Sequence, residues 1–222
     1  MISNSEIRAR ARDTLGKSIF NEKWLYALLV CLITSAISFV SSAIPFASAI
    51  VSIVIMGPLS IGVVGVFLTA TRTGEKIKIE NMFNGFKNFV ENMLLYLMIT
   101  LFTVLWTLLF IIPGIIKGFS YSMAPYIKND HPEYDWKQCI NESKRMMDGH
   151  KGQYFCLILS FIGWILLGAL CCGVGTLWVT PYMSTSQAEF YNQLKAKEIG
   201  ADEADANVGE NESTENEDPY TL

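Results

Sequence analysis

Residues Pro113 to Ile127 read Pro-Gly-Ile-Ile-Lys-Gly-Phe-Ser-Tyr-Ser-Met-Ala-Pro-Tyr-Ile. They follow an uncharged run, Met93–Ile112, that carries Trp106. Together the two read as a membrane hairpin: a helix, a turn at Pro113-Gly114, and a return that ends at Pro125-Tyr126. A helix needs about 20 residues to cross about 30 Å of hydrocarbon, and Met93–Ile112 meets that length. The return, Gly114–Lys128, covers only about 22 Å at the α-helical rise. It must tilt little, thin the bilayer or re-enter. Gly114, Gly118 and Ser122 recur at intervals of four. That spacing places small residues on one face, as a close-packing seam against another helix.

Three further stretches lack charge: Trp24–Ala43, Ile44–Thr71 and Tyr154–Gln187. The 222-residue chain is 51% hydrophobic and 17% charged, with its apolar residues gathered into these runs. The pattern predicts an all-α fold, a polytopic transmembrane helix bundle of about six spans in three hairpins. Pro45 turns the first hairpin, because the residue before proline is pushed out of helical geometry. Gly57-Pro58, in the middle of the second span, predicts a kink or break. The opening residues do not form a signal peptide, and the Trp24 run acts as an uncleaved first span.

Amphipathic stretches lie between the spans. Behind a capping-box signature, Ser3-x-x-Glu6, the residues Ile7, Ala11, Leu15 and Ile19 recur at helical spacing, with Arg8, Arg10, Arg12 and Lys17 elsewhere. Residues 5–20 thus read as a helix lying on the inner membrane surface. Ile79, Met82, Phe83, Phe86, Phe89, Val90 and Met93 form a second stripe, and Asp135–Gly149 a third, with Trp136, Cys139, Ile140, Ser143 and Met147 on one side. The order amphipathic helix, span, turn, span recurs over about 5–71, 79–128 and 135–197. Trp106-Thr-Leu-Leu is echoed by Trp164-Ile-Leu-Leu, and Pro125-Tyr126 by Pro181-Tyr182. Residues 1–198 form the integral membrane domain. Residues 199–222 read as an acidic disordered tail, too polar to bury a core.

Charge gives orientation. Sixteen of the 17 Lys and Arg lie before Trp24, in 72–87, in 128–151 or at 195–197, and the turns between spans carry none. The positive-inside rule then puts the N-terminus and the C-terminal tail in the cytoplasm for six crossings. Five crossings, with 154–179 merged into one helix, would put the tail outside. The net charge of −4 hides a basic body, since residues 1–201 hold 17 basic against 13 acidic side chains. A basic body beside anionic lipid is a membrane pattern and not a nucleic-acid one.

The run Ile112–Ile127 resembles the signature of a family of uncharacterised bacterial integral membrane proteins known as domain of unknown function 975. Ser143-Lys-Arg-Met-Met-Asp-Gly-His150, Phe161-Ile-Gly-Trp164, Pro181-Tyr182 and the opening Glu6–Leu15 resemble it too. The resemblance implies a multi-spanning protein of the bacterial cytoplasmic membrane and supplies no catalytic residues. A more distant similarity is to the membrane portion of some glycerophosphodiester phosphodiesterases, whose hydrolase barrel has no counterpart here.

The residues otherwise exclude more chemistry than they suggest. The five cysteines, Cys31, Cys139, Cys156, Cys171 and Cys172, show neither a disulfide framework nor zinc spacing. His131 and His150 form no ligand set, and His150 reads as the end of a helix, near its C-terminal dipole. No metalloprotease, nucleophile-elbow or phosphate-loop motif occurs. No enzyme activity and no cofactor are expected. Lys117 is the single charge inside a span, a candidate functional residue by default. It lies close enough to the interface to snorkel. Gly57, Pro58, Pro113, Gly114, Gly118, Ser122, Pro125, Tyr126, Pro181 and Tyr182 are the candidate packing and kink residues. The expected function is non-enzymatic, an interaction with membrane lipids, a partner membrane protein or a second copy. The alternative is a small transporter or accessory subunit, with Tyr121, Tyr126, Ser120 and Ser122 lining a polar path.

Overall fold

A computed structural model of the chain describes residues 3–16, 22–42, 48–74, 77–170 and 174–215, the side chains of 39–42, 48–53, 167–170, 174, 176–177 and 200–215 excepted. The described secondary structure is entirely helical. In order come α1 (Asn4–Leu15), α2 (Glu22–Ser42), α3 (Ser48–Thr73), a 3-10 helix (Ile79–Phe86), α4 (Phe89–Leu109) and α5 (Ile111–Tyr121). There follow α6 (Ala124–Asp130), α7 (Trp136–Met146), α8 (Lys151–Leu170) and α9 (Val174–Glu215). Among the described residues, two stretches are long and apolar enough to cross a membrane, Val54–Thr73 and Phe89–Leu109. The turn expected around Pro45 and most of that at Cys171–Gly175, with Cys171 and Cys172, lie outside the described residues. α9 continues as helix through much of the segment read as a tail.

α3 is the central element, packed against α2, α4, α6, α9 and the 3-10 helix. Its glycines let backbones meet. A Cβ on Gly62 would stand 1.8 Å from the Met82 carbonyl oxygen, and one on Gly85 of the 3-10 helix 1.9 Å from the Pro58 oxygen. A Cβ on Gly57 would press on α4 at Met93, and one on Gly65 on Asn129 of α6. Of the kink or break expected at Gly57-Pro58, the break does not occur. α3 runs through Pro58 unbroken, and the pair marks where neighbours cross it closely.

The second amphipathic stripe also departs from its reading. It is a 3-10 helix and then the start of α4, not one α-helix. With three residues per turn, positions i and i+3 eclipse. Met82 and Gly85 accordingly turn inward onto α3, while the rings of Phe83, Phe86 and Phe89 follow one another on the other side, adjacent centroids being 6.2 Å apart. α1 is capped by Ser3, whose Oγ accepts the Glu6 N–H at 3.3 Å. Its stripe, Ile7, Ala11 and Leu15, is buried within the protein, packed chiefly on α9, so this face does not lie on lipid. Ile19 is outside the described residues.

The hairpin expected to turn at Pro113 turns three residues earlier, at Phe110. Phe110 is the extended residue (φ −153°, ψ 132°), and Pro113 and Gly114 sit in the first turn of α5. There a missing N–H costs no helical hydrogen bond. Gly114 lies against α4, where an added Cβ would fall 2.6 Å from the Thr107 Cα. The close-packing seam therefore runs against α4 at Gly114. At Gly118 the approach is looser, 3.7 Å from the Thr103 methyl.

The return is two helices rather than one. It breaks at Ser122-Met123, and Pro125 opens α6 instead of closing the hairpin. Ser143 of α7 secures the break, accepting the Met123 N–H at 3.2 Å and donating to the Ser120 carbonyl at 2.7 Å. Pro181, by contrast, lies inside α9. His150 follows the turn after α7 and accepts the Tyr154 N–H at 3.1 Å. It thus leads into α8 rather than ending α7.

Candidate functional site

Polar side chains converge where the C-terminal ends of α3 and α6 meet the middle of α9. Arg72 grips Asp130 with two parallel hydrogen bonds, Nη1 to Oδ1 at 2.6 Å and Nη2 to Oδ2 at 2.8 Å. Its Nε donates to Asn192 Oδ1 at 2.9 Å, and Asn192 donates in turn to Thr71. Lys195 Nζ at 2.6 Å and Tyr191 Oη at 3.0 Å also donate to Asp130 Oδ2. Burial pushes the Asp130 carboxyl up, but the hydrogen bonds from Arg72 and Lys195 outweigh it and hold its pKa at about 2. Next in sequence, Asn129 donates to the Ile61 and Pro125 carbonyls, and buried Lys128 pairs with Glu91. Lys128 also donates to the Pro132 and Tyr134 carbonyls at 2.8 and 2.7 Å. Arg72, Lys195 and Tyr191 join α3 and α9 to α6 through Asp130, Asn129 joins α6 to α3, and Lys128 joins α6 to α4. The cluster is a clasp, and its carboxylate is held ionised.

Lys117 of α5 lies over the Trp106 ring of α4, its Nζ 5.2 Å from the centroid. That is a cation–π contact within one hairpin. Tyr121 is buried against Phe102, and Tyr126 stacks on Tyr191 at 5.3 Å. Tyr182 meets Phe161 edge-on and donates its hydroxyl to the Arg8 carbonyl. The groove beside Gly114 and Gly118 is lined also by Thr103, Thr107, Ser122 and Tyr154, and not by Lys117 or Tyr121. The structure thus scatters the sequence candidates over several contacts. Tyr182 among them borders a cavity beneath α1.

That cavity has a volume of about 670 Å³ and lies between α1, α2, α8 and α9. Arg8 and Arg12, one turn apart on α1, line it together with Trp24, Trp164, Trp178 and Tyr182. Trp24 is fixed by donating Nε1–H to the Gly16 carbonyl at 3.1 Å, and its ring lies 6.2 Å from Trp178. Arg10, on the other side of α1, pairs with Glu189 at 3.4 Å. No carboxylate among the described residues pairs with Arg8 or Arg12. The available signal in the sequence was the i, i+4 spacing of these arginines. The tryptophans that join them come from three distant helices, and only the fold brings them together.

Elsewhere, His150 Nε2 lies 3.1 Å from Lys197 Nζ, and burial with that ammonium holds the imidazole below its usual pKa of 6.5. No group of His, Cys, Asp and Glu among the described residues is arranged to hold a metal ion. No curated protein and no solved structure matches the chain. One family model does, described as "Protein of unknown function (DUF975)", over residues 1–117 and 107–198. These two matches take in the clasp, the α4–α5 hairpin and the aromatic cavity, and the chain belongs to that family.

Proposed function

We propose that the protein is a non-enzymatic, multi-pass protein of the bacterial cytoplasmic membrane that works by binding lipids or neighbouring membrane proteins. It crosses six times in three hairpins built on a repeated unit, with both termini in the cytoplasm. The observation that carries this reading is α4. It is 21 residues long and apolar, yet only 11% of its most apolar 18-residue stretch is buried. A helix at the heart of a soluble protein hides its apolar faces. Here Leu108, Leu109, Phe110, Ile111 and Ile112 stand 64–83% exposed in unbroken succession, an apolar surface that favours contact with lipid. The clasp supports the same orientation, because its charges gather at the opposite end of α4 and α5.

The transporter reading asks for a wet path past Lys117 and Tyr121. Packing of Lys117 on Trp106 and of Tyr121 on Phe102 favours the first reading. The test is labelling of single cysteines placed at positions 45, 113, 173 and 210 of a cysteine-free chain in intact cells. A membrane-impermeant maleimide should reach 45, 113 and 173 from outside, and 210 only after permeabilisation. Labelling of 210 from outside would refute six crossings. Recovery of the chain in the soluble fraction would refute the whole reading.

A further inference from the structure

The cavity beneath α1 has the two-part chemistry of an amphiphile site. Its cationic side is Arg8 and Arg12, at i and i+4 on one face of a helix. Guanidinium groups bind phosphate through parallel hydrogen bonds, and these two have no carboxylate partner among the described residues. Its other walls are the rings of Trp24, Trp164, Trp178 and Tyr182. Such rings favour the level where headgroups give way to acyl chains. The volume, about 670 Å³, falls in the range of sites that enclose much of a small organic molecule.

Resting on the membrane reading above, we infer that this cavity holds one anionic phospholipid of the cytoplasmic leaflet. Its phosphate lies between Arg8 and Arg12, and its glycerol and first methylenes lie against the tryptophans. A zwitterionic lipid is disfavoured because its ammonium would sit beside two guanidiniums. The contrast with Arg10 sharpens the assignment. Three arginines alternate along α1, and the one facing away from the cavity is the one neutralised, by Glu189.

The full-length protein, purified in mild detergent, would be titrated with dioleoylphosphatidylglycerol or dioleoylphosphatidylcholine, and its adducts counted by native mass spectrometry. One phosphatidylglycerol should be retained per chain, at least about tenfold more tightly than phosphatidylcholine, a difference equal to half or more of one charge-assisted contact. Arg8→Gln with Arg12→Gln should abolish the preference. Arg8→Lys with Arg12→Lys should restore part of it, and Arg10→Gln should leave it intact. Melting temperature, read on each variant, separates loss of the site from loss of the fold. Equal retention of the two lipids, or an undiminished preference in a folded double Gln variant, would overturn the inference. Neither result would disturb the six-crossing topology, which the cysteine labelling reads independently.

Discussion

Where α3, α6 and α9 meet, Asp130 takes four hydrogen bonds from three side chains; where α4 turns into α5, five consecutive apolar residues face outward. Directional bonds fix angles between helices, because each works only at one distance and orientation. Apolar contact with surroundings fixes depth and little else. The clasped end therefore sets how the helices stand to one another, and the bare tip, in the reading proposed above, sets how deep they go. Substitutions at the first should cost stability, and those at the second should cost little. The predictions below follow that gradient.

The largest loss is expected at Gly62. Its missing side chain lets the Met82 carbonyl approach within 1.8 Å of where a Cβ would stand, and a backbone oxygen cannot swing aside as a side chain can. Overpacking usually costs about 1–3 kcal/mol, and a clash with backbone belongs at or beyond the top of that range. Gly62→Val should leave little folded protein after detergent extraction, as judged by size-exclusion profile. A monodisperse peak melting at the wild-type temperature would show that the 3-10 helix does not clasp α3 as described.

Asp130→Ala comes next. It leaves Arg72, Lys195 and Tyr191 without their common acceptor, although the two cations are about a third exposed and recover water. Breaking a buried pair costs about 3–5 kcal/mol, and with this partial hydration about 2 kcal/mol is expected. The same group gives an acid signature. Its folded pKa, about 2, lies below the 3.8 of the unfolded carboxyl, so the unfolded chain takes up the proton first. The stabilisation is full above about pH 4 and is lost as pH falls toward 2. Melting temperature in detergent should fall over that window in the wild type, and less steeply in Asp130→Ala.

Much of this gradient was legible in the sequence, but unevenly. The long helices follow from uncharged runs, since length and apolarity act locally. Helix α7 was legible as well, because Cys139, Ile140, Ser143 and Met147 bury on one side while Lys137, Lys144 and Arg145 stay exposed. The 3-10 helix was not, because over so few residues a period of 3.0 and one of 3.6 select nearly the same apolar positions. The break at Ser122-Met123 depends on Ser143, twenty residues away, and no local pattern announces which serine will accept a stranded N–H. Pro113 was read as the turn because proline often ends helices. Here it lies in the first turn of one, and the turn of the chain falls to Phe110. The cavity was hidden for a similar reason, its arginines and tryptophans being distributed over α1, α2, α8 and α9.

Lys128→Met probes the clasp at intermediate strength. Lys128 is 3% exposed and serves Glu91 and two carbonyls. Methionine fills similar space but leaves the Pro132 and Tyr134 carbonyls without this donor, while Glu91, half exposed, returns to water. About 1–2 kcal/mol should be lost, from the stranded carbonyls rather than from the ion pair. Glu91→Gln, which discharges the partner and spares the carbonyl contacts, should therefore be milder than Lys128→Met. The reverse order in thermal melts would mean that the ion pair dominates.

The smallest effect is expected at Lys117, the single charge within the apolar runs of the sequence. At the tip its ammonium rests on Trp106 and the backbone is shaped by Gly114 against Thr107, so the hairpin does not depend on the charge. A partly exposed cation–π contact is worth about 0.5–1 kcal/mol, and the methylenes of methionine replace much of the lysine stem's packing on the ring. Lys117→Met should shift stability by no more than about 0.5 kcal/mol, with unchanged membrane levels. Trp106→Ala should do more, since it removes the ring as well as the contact. If Lys117→Met instead lost several kcal/mol, the bare end would be held by a directional interaction after all, and the contrast with the Asp130 clasp would fail.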